Sequence, residues 1–290
     1  MFLPDFDYYA PSSLQEACDL LRNLGPRAKV LAGGTDLLVK MKSGLLAPEA
    51  LISLKALDEL KKIEYVPGKG VVIGGRATHN DVVNSPVLHE RFLSISEAAH
   101  QMANNQIRNR GTVAGNLVNA IPSADLPPIL IALGADITLV GSKVSRTVPL
   151  DSFFTGPSCC VIDPEDEILT EIVIPEQDTT GSTYIKFGLR RSGALAVTGV
   201  AAAVTMDGDV IVDSRICLGA VFRVPVRAHD AEDLLRGKTW SDDLLTQAGE
   251  AAACCALPID DIRGTAEYRL DLVRVLTGRA LRKAITEGHA

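Results

Sequence analysis

Gly111-Thr112-Val113-Ala114-Gly115-Asn116 sets two glycines beside the hydrogen-bonding side chains of Thr112 and Asn116. A backbone of this kind can turn sharply and present bare N–H groups to an anion. Phosphate is the natural occupant. A second stretch of the same character lies upstream, where Val30-Leu31-Ala32 runs into Gly33-Gly34-Thr35-Asp36 and then into the helix-like Leu37 to Lys42. A strand, a glycine turn and a helix N-terminus suit a pyrophosphate, because the helix dipole and its free amides both favour negative charge. Taken singly, each loop is more often an ordinary tight turn. Neither reads G-x-G-x-x-G, and no Gly-Lys-Ser/Thr follows, so the Rossmann and P-loop patterns are both excluded. The pair together calls for a different dinucleotide fold.

The elements that must position these loops can be read in order. Leu14, Ala17, Leu20, Leu21 and Leu24 recur at helical spacing behind Ser12-Ser13, and Glu16 stands three residues after Ser13 as in a capping box. Gly25-Pro26 stops that helix. Lys29 to Ala32 and Leu51 to Leu54 read as short strands, giving a small α/β unit over about 1–57. Ile63–Val66 and Gly70–Gly74 around Pro67-Gly68-Lys69 read as a hairpin, and Thr78 as the cap of a helix. One helix is expected from Val87 to Met102. His79 reads as a polar residue at a helix N-terminus, with a place near a bound cofactor as the alternative. Ser123 to Leu133 is expected to be a helix with Pro127 and Pro128 in its first turn, followed by strands at Ala135–Val140, Arg146–Leu150 and Ile168–Ile174.

Pro175 and the polar run EQDTTGS mark the expected domain boundary, so that 1–176 forms one domain in two parts, about 1–57 and 58–176, and 177–290 forms a second. In the second, three long β-patterned segments (183–189, 195–206 and 210–221) precede helical patterns at 229–236, 241–256 and 265–287. Strands followed by helices argue for an α+β domain.

With 290 residues and 47% apolar residues the chain can fill two sizeable cores, and its mean hydropathy is +0.17. It contains 29 basic and 36 acidic residues, a net charge of -7 without long runs, which offers no footprint for nucleic acid or anionic lipid. No stretch is apolar for long enough to span a bilayer, and Met1 to Phe6 lacks a basic start with an apolar core, so a cytoplasmic location is expected. The six cysteines include the adjacent pairs Cys159-Cys160 and Cys254-Cys255, which cannot make a C-x-x-C metal clamp. No metal ligand set and no catalytic base are expected in this chain.

AGGTDLL at 32–38, IRNRGTVAGNL at 107–117, SADLPPILIALGA at 123–135, EILTEIVIP, and YIKFGLRRSGALAVTGVAAAV together resemble the FAD-binding medium subunit of the molybdenum hydroxylases, over essentially the whole chain. That family includes carbon monoxide, xanthine and nicotinate dehydrogenases. The resemblance implies an α+β fold: a two-part FAD-binding domain of the vanillyl-alcohol-oxidase type, followed by a C-terminal domain of three-stranded sheet and helices. It implies FAD in this chain, and molybdopterin and [2Fe-2S] clusters on a large and a small partner subunit, assembled as a dimer of heterotrimers. Electrons would pass from the clusters through FAD to NAD(P)+ or another acceptor. A free-standing FAD-dependent oxidase or reductase of the same fold, and a nucleotide-binding scaffold without redox activity, are the alternatives. No cysteine-rich insertion of the 4-hydroxybenzoyl-CoA reductase type is present.

By this resemblance Ala32, Gly33, Gly34, Thr35 and Asp36 would hold the diphosphate from one side, and Thr112, Val113, Ala114, Gly115 and Asn116 from the other. Lys29, Val30, Leu31 and Met102 are implied as further cofactor contacts, with Ile162 and Leu169 as apolar or main-chain contacts. The family's second loop usually reads T-x-G-G-N, so Ala114 adds a methyl that is tolerable only if its φ is negative. Asp125 would contact the ribityl or adenosine part, or else be an acid favoured by the dipole of the following helix. Lys186 would lie near the isoalloxazine, or else be a solvated strand lysine. Ala194 and Leu195 replace an acid and an aromatic of the carbon monoxide dehydrogenase pattern, which leans towards the heterocycle- or purine-oxidising relatives.

Overall fold

The computed structural model describes residues 3–190 and 192–287. Met1, Phe2 and Arg191 of the stretches above lie outside the described residues.

The N-terminal unit is a parallel sheet in which Ala50–Ser53 runs between Asp7–Tyr9 and Ala28–Leu31. Helix Leu14–Leu24 buries Ala17, Cys18 and Leu21 against it. Ser13 caps that helix by accepting from the Glu16 amide, but the Glu16 carboxylate takes the amide and hydroxyl of Ser12 instead of closing a capping box on Ser13. The edge strand Asp7–Tyr9 has no apolar run that would have announced it.

The second unit is an antiparallel sheet in the order Ile63–Val66, Gly70–Gly74, Ile168–Ile174, Asp136–Val140, Ser145–Pro149. Its central strand comes last in sequence. The expected helix from Val87 to Met102 is two helices, Pro86–Arg91 and Leu93–His100, broken at Phe92 with φ -148 and ψ 61. No glycine or proline causes the break. Phe92 is buried against the core, and its packing overrides a continuous helical pattern.

Helix Leu126–Ala132 is apolar all round and every residue in it is buried, as a helix enclosed on all sides must be. One side meets the second unit. The other meets strand Thr198–Asp207, whose alternate residues serve two cores: Ala201 and Ala203 join the core around the helix, while Val200, Ala202 and Val204 join the core of the C-terminal sheet. The helix lies so close that a Cβ on Gly219 would come 2.7 Å from Pro128 Cγ. The C-terminal sheet runs Gly181–Phe187, Thr198–Asp207, Val210–Gly219, Val226–Arg227, with Lys238–Thr239 also pairing to Val210–Gly219. The two short strands extend the three expected ones. Helices Asp242–Cys254 and Ala266–Thr286 cover the outer face. None of the described helices is long and apolar enough to cross a membrane.

Candidate functional site

The two glycine loops face one another across a cleft of ≈ 590 Å³ that runs between the N-terminal unit and the antiparallel sheet. That volume falls within the roughly 300–1,000 Å³ usual for cofactor sites. The second loop is fixed by backbone bonds to the segment before helix His79–Val83: Val113 N donates to Ala77 O and His79 N to Gly111 O, both at 3.0 Å. Thr112 caps helix Val113–Asn119, its hydroxyl accepting from Gly115 N at 3.0 Å.

The first loop touches the second directly. A Cβ on Gly33 would lie 2.0 Å from Arg110 O and 2.9 Å from Gly111 Cα. Gly33 is therefore required by the neighbouring loop rather than by a phosphate. Gly34 sits at φ +76, a region that only glycine occupies without strain. Among the described residues the amides of Gly33, Gly34, Thr35, Asp36 and Ala114 donate to no protein acceptor, and all five residues line the cleft. A row of unpaired donors in a cleft is suited to an anion. The helices behind the loops, Leu37–Lys42 and Val113–Asn119, are only six and seven residues long, so these amides carry more of that preference than a helix dipole does.

Asp125 stands at the inner end, with its side chain 5% exposed. Its Oδ2 accepts from Lys186 Nζ at 2.7 Å and its Oδ1 from Tyr184 Oη at 2.9 Å. Burial pushes the Asp125 carboxyl above its usual range, against the opposing pull of the Lys186 ammonium and the Tyr184 hydroxyl. Lys186 is 7% exposed, which rules out a solvated strand lysine. Glu167 is likewise committed, to Arg146 at 2.6 and 2.8 Å, and that bond holds its carboxyl below the usual range. Asn116 Oδ1 is buried without a protein partner, an acceptor for a ligand hydroxyl or N–H.

Fifteen of the residues put forward from the sequence line the cleft: Lys29, Val30, Ala32, Gly33, Gly34, Thr35, Asp36, Met102, Thr112, Ala114, Gly115, Asn116, Asp125, Ile162 and Leu169. Leu31, Val113 and Lys186 do not. Leu31 packs beneath the first loop, against which a Gly34 Cβ would collide. Val113 points into the core, and Lys186 reaches the cleft only through Asp125. Ala114 lies in helix Val113–Asn119 and is absent from the positive-φ residues, so its methyl is compatible with the backbone there.

Sequence reasoning missed Lys40 and Asn119, which line the cleft and bond to each other at 2.7 Å. Both stand at helical spacing from the loops, and that spacing was the available signal. It also set His79 aside as a helix N-terminal residue. His79 does begin helix His79–Val83, but it lines the cleft as well, with its ring against Gly111. Burial, with Arg108 adding, pushes its pKa down to about 3.

Residues 4–177 match the family described as the FAD binding domain in molybdopterin dehydrogenase, and residues 183–284 match the CO dehydrogenase flavoprotein C-terminal domain. The chain is 36% identical over 285 residues to the carbon monoxide dehydrogenase medium chain of Hydrogenophaga pseudoflava, covering 98% of each. It is 35% identical to the nicotine 6-hydroxylase medium subunit of Paenarthrobacter nicotinovorans, covering 98% of this chain and 99% of that one. Its backbone matches quinoline 2-oxidoreductase from Pseudomonas putida 86 with a TM-score of 0.93 at 30% identity, over 100% of both chains.

Proposed function

The chain belongs to the FAD-binding medium subunits of the molybdenum hydroxylases, and from that premise we propose that it is the electron relay of a three-subunit complex. Its partners in this reading are a large molybdopterin subunit and a small subunit bearing [2Fe-2S] clusters, arranged as a dimer of heterotrimers. FAD, when bound, supplies the exchange between single electrons arriving from the clusters and the pair delivered to NAD(P)+ or another acceptor. The observation that carries the reading is the row of unpaired amides from both loops along one cleft, which fits a diphosphate between two halves of a dinucleotide.

In this reading Gly33 to Asp36 and Ala114 donate to the diphosphate, and Asn116 accepts from the sugar or flavin portion. Asp125, held by Tyr184 and Lys186, orients the inner part of the cofactor. The buried Asp125 and the half-buried Glu167 are already paired at the cleft, and Asp36 lies exposed beside the first loop. Among the described residues no buried, unpaired carboxylate therefore stands there as a base for an organic substrate, which favours a relay over a free-standing oxidase. Leu195, which lines the cleft, is 59% exposed, and Ile262 is fully exposed on a loop tied to the same segment through Arg263 Nη1 and Ala196 O. Apolar side chains so placed are consistent with a protein partner beside the cofactor. Substrate choice falls to the large subunit: relatives named for carbon monoxide and for nicotine are almost equally similar, at 36% and 35%.

The chain alone should carry FAD and reduce artificial dyes with NAD(P)H, yet oxidise no aldehyde, purine or N-heterocycle until the two other subunits are added. Turnover of an organic substrate by the isolated chain at an ordinary enzymatic rate, about 1 to 1,000 per second, would replace the relay with a free-standing flavoenzyme.

A further inference from the structure

Lys40 and Asn119 belong to different halves of the cleft. Lys40 lies on helix Leu37–Lys42, which follows the first loop, and Asn119 on helix Val113–Asn119, which follows the second. Leu37 and Lys40 are three residues apart, and Gly115 and Asn119 four, the spacings that put side chains on one helix face. All four line the cleft. Lys40 Nζ donates to Asn119 Oδ1 at 2.7 Å, a bond that spans 79 positions of sequence. The partner is a neutral amide, and among the described residues Lys40 forms no ion pair. Its ammonium therefore stands at the cleft with no carboxylate in contact, although Asp36 lines the same cleft one helical turn away.

We propose that Lys40 is a direct ligand of the FAD diphosphate, and that its bond to Asn119 latches the two loops together over that group. The argument rests on the reading of this chain as an FAD-carrying subunit. In oxidised FAD the diphosphate is the only charged part of the dinucleotide, so an ammonium with no carboxylate in contact, set among the unpaired loop amides, has one partner there. Lys40 keeps two donors after serving Asn119, enough to join the halves and bind the phosphates at once. Because the ammonium and the diphosphate are opposite charges in a partly solvated cleft, their attraction is screened by salt, whereas the bond from Lys40 to the neutral Asn119 amide is not.

The test is FAD titration of the flavin-free 290-residue chain, followed by flavin fluorescence at low and high ionic strength, for the wild type, Lys40→Met, Lys40→Arg and Asn119→Ala. Lys40→Met should bind FAD about tenfold to a hundredfold more weakly at low salt and converge towards the wild type at high salt. Lys40→Arg should recover most of the affinity, and Asn119→Ala should keep the salt dependence while releasing FAD faster. A Lys40→Met curve that coincides with the wild type, or lies below it by the same factor at every salt concentration, would overturn the assignment of Lys40. A wild-type chain that takes up no FAD would overturn the assignment together with the reading beneath it.

Discussion

Gly33 and Arg110 are separated by 77 positions in sequence, yet a single Cβ on Gly33 would lie 2.0 Å from the Arg110 carbonyl oxygen. The two loops of the cleft are thus one packed object. Gly33→Ala should force them apart, costing about 1–3 kcal/mol in stability and stripping the flavin. At Gly115 the added methyl would meet only the Thr112 hydroxyl, at 2.9 Å. Gly115→Ala should therefore disturb one cap, worth about 1 kcal/mol, and retain more flavin. Flavin-to-protein ratios and melting temperatures of the two variants check the order, and a Gly33→Ala protein as yellow and as stable as the wild type would contradict the packing.

The bond between Lys186 and Asp125 joins the C-terminal sheet to the inner end of the cleft. Lys186→Met should leave a buried carboxylate unpaired and cost about 3–5 kcal/mol, against 0–1 for a solvated lysine. Since burial already raises the Asp125 carboxyl, losing the ammonium should raise it further. The variant should then regain stability as the pH falls and Asp125 takes up a proton. Adding Asp125→Asn should remove much of the cost. Denaturant titration of the two single variants and the double one measures the coupling, and strict additivity would show that the pair is not one unit.

Local pattern exposed much of this architecture. Helix Leu14–Leu24, the hairpin around Pro67-Gly68 and strand Ile168–Ile174 each follow from periodicity and turn residues. What local pattern could not carry is non-local order. Nothing within Ile168–Ile174 says that it will insert between Gly70–Gly74 and Asp136–Val140, and the break at Phe92 comes from burial of its ring rather than from any breaker residue. The same division holds in the cleft. Glycine and amide patterns pointed to both loops, and helical spacing from them reaches Lys40 and Asn119, whereas the meeting of those two side chains and the placing of His79 against Gly111 come from contacts between segments far apart in sequence. The exclusion of Val113 is a matter of helix phase: one residue further, Ala114 meets the cleft while Val113 turns to the core.

Ala114 is 5% exposed inside a regular helix. Ala114→Gly, which restores the commoner glycine pair, should lose about 0.5–1 kcal/mol through backbone entropy and leave FAD affinity unchanged. Tighter FAD binding by the glycine variant would mean that the methyl crowds the cofactor.

His79 supplies a pH dependence of definite sign. In the folded chain, burial first and the charge of Arg108 second push its pKa down to about 3 from an ordinary value of 6.5. Above that ordinary value the ring is neutral in both folded and unfolded chains and contributes no pH dependence. Below it only the unfolded chain gains the proton, so stability drains away as the pH falls, at up to about 1.4 kcal/mol per pH unit, until the folded ring titrates too. His79→Leu removes this term while keeping an apolar side chain against Gly111. The stability difference between wild type and variant, measured by denaturant unfolding from pH 7.5 to pH 4, should therefore shift steadily in favour of the variant below about pH 6.5. A difference that stays flat across that range would show that His79 takes up its proton in the folded protein as readily as in the unfolded one, and so is not shut away beside the cleft.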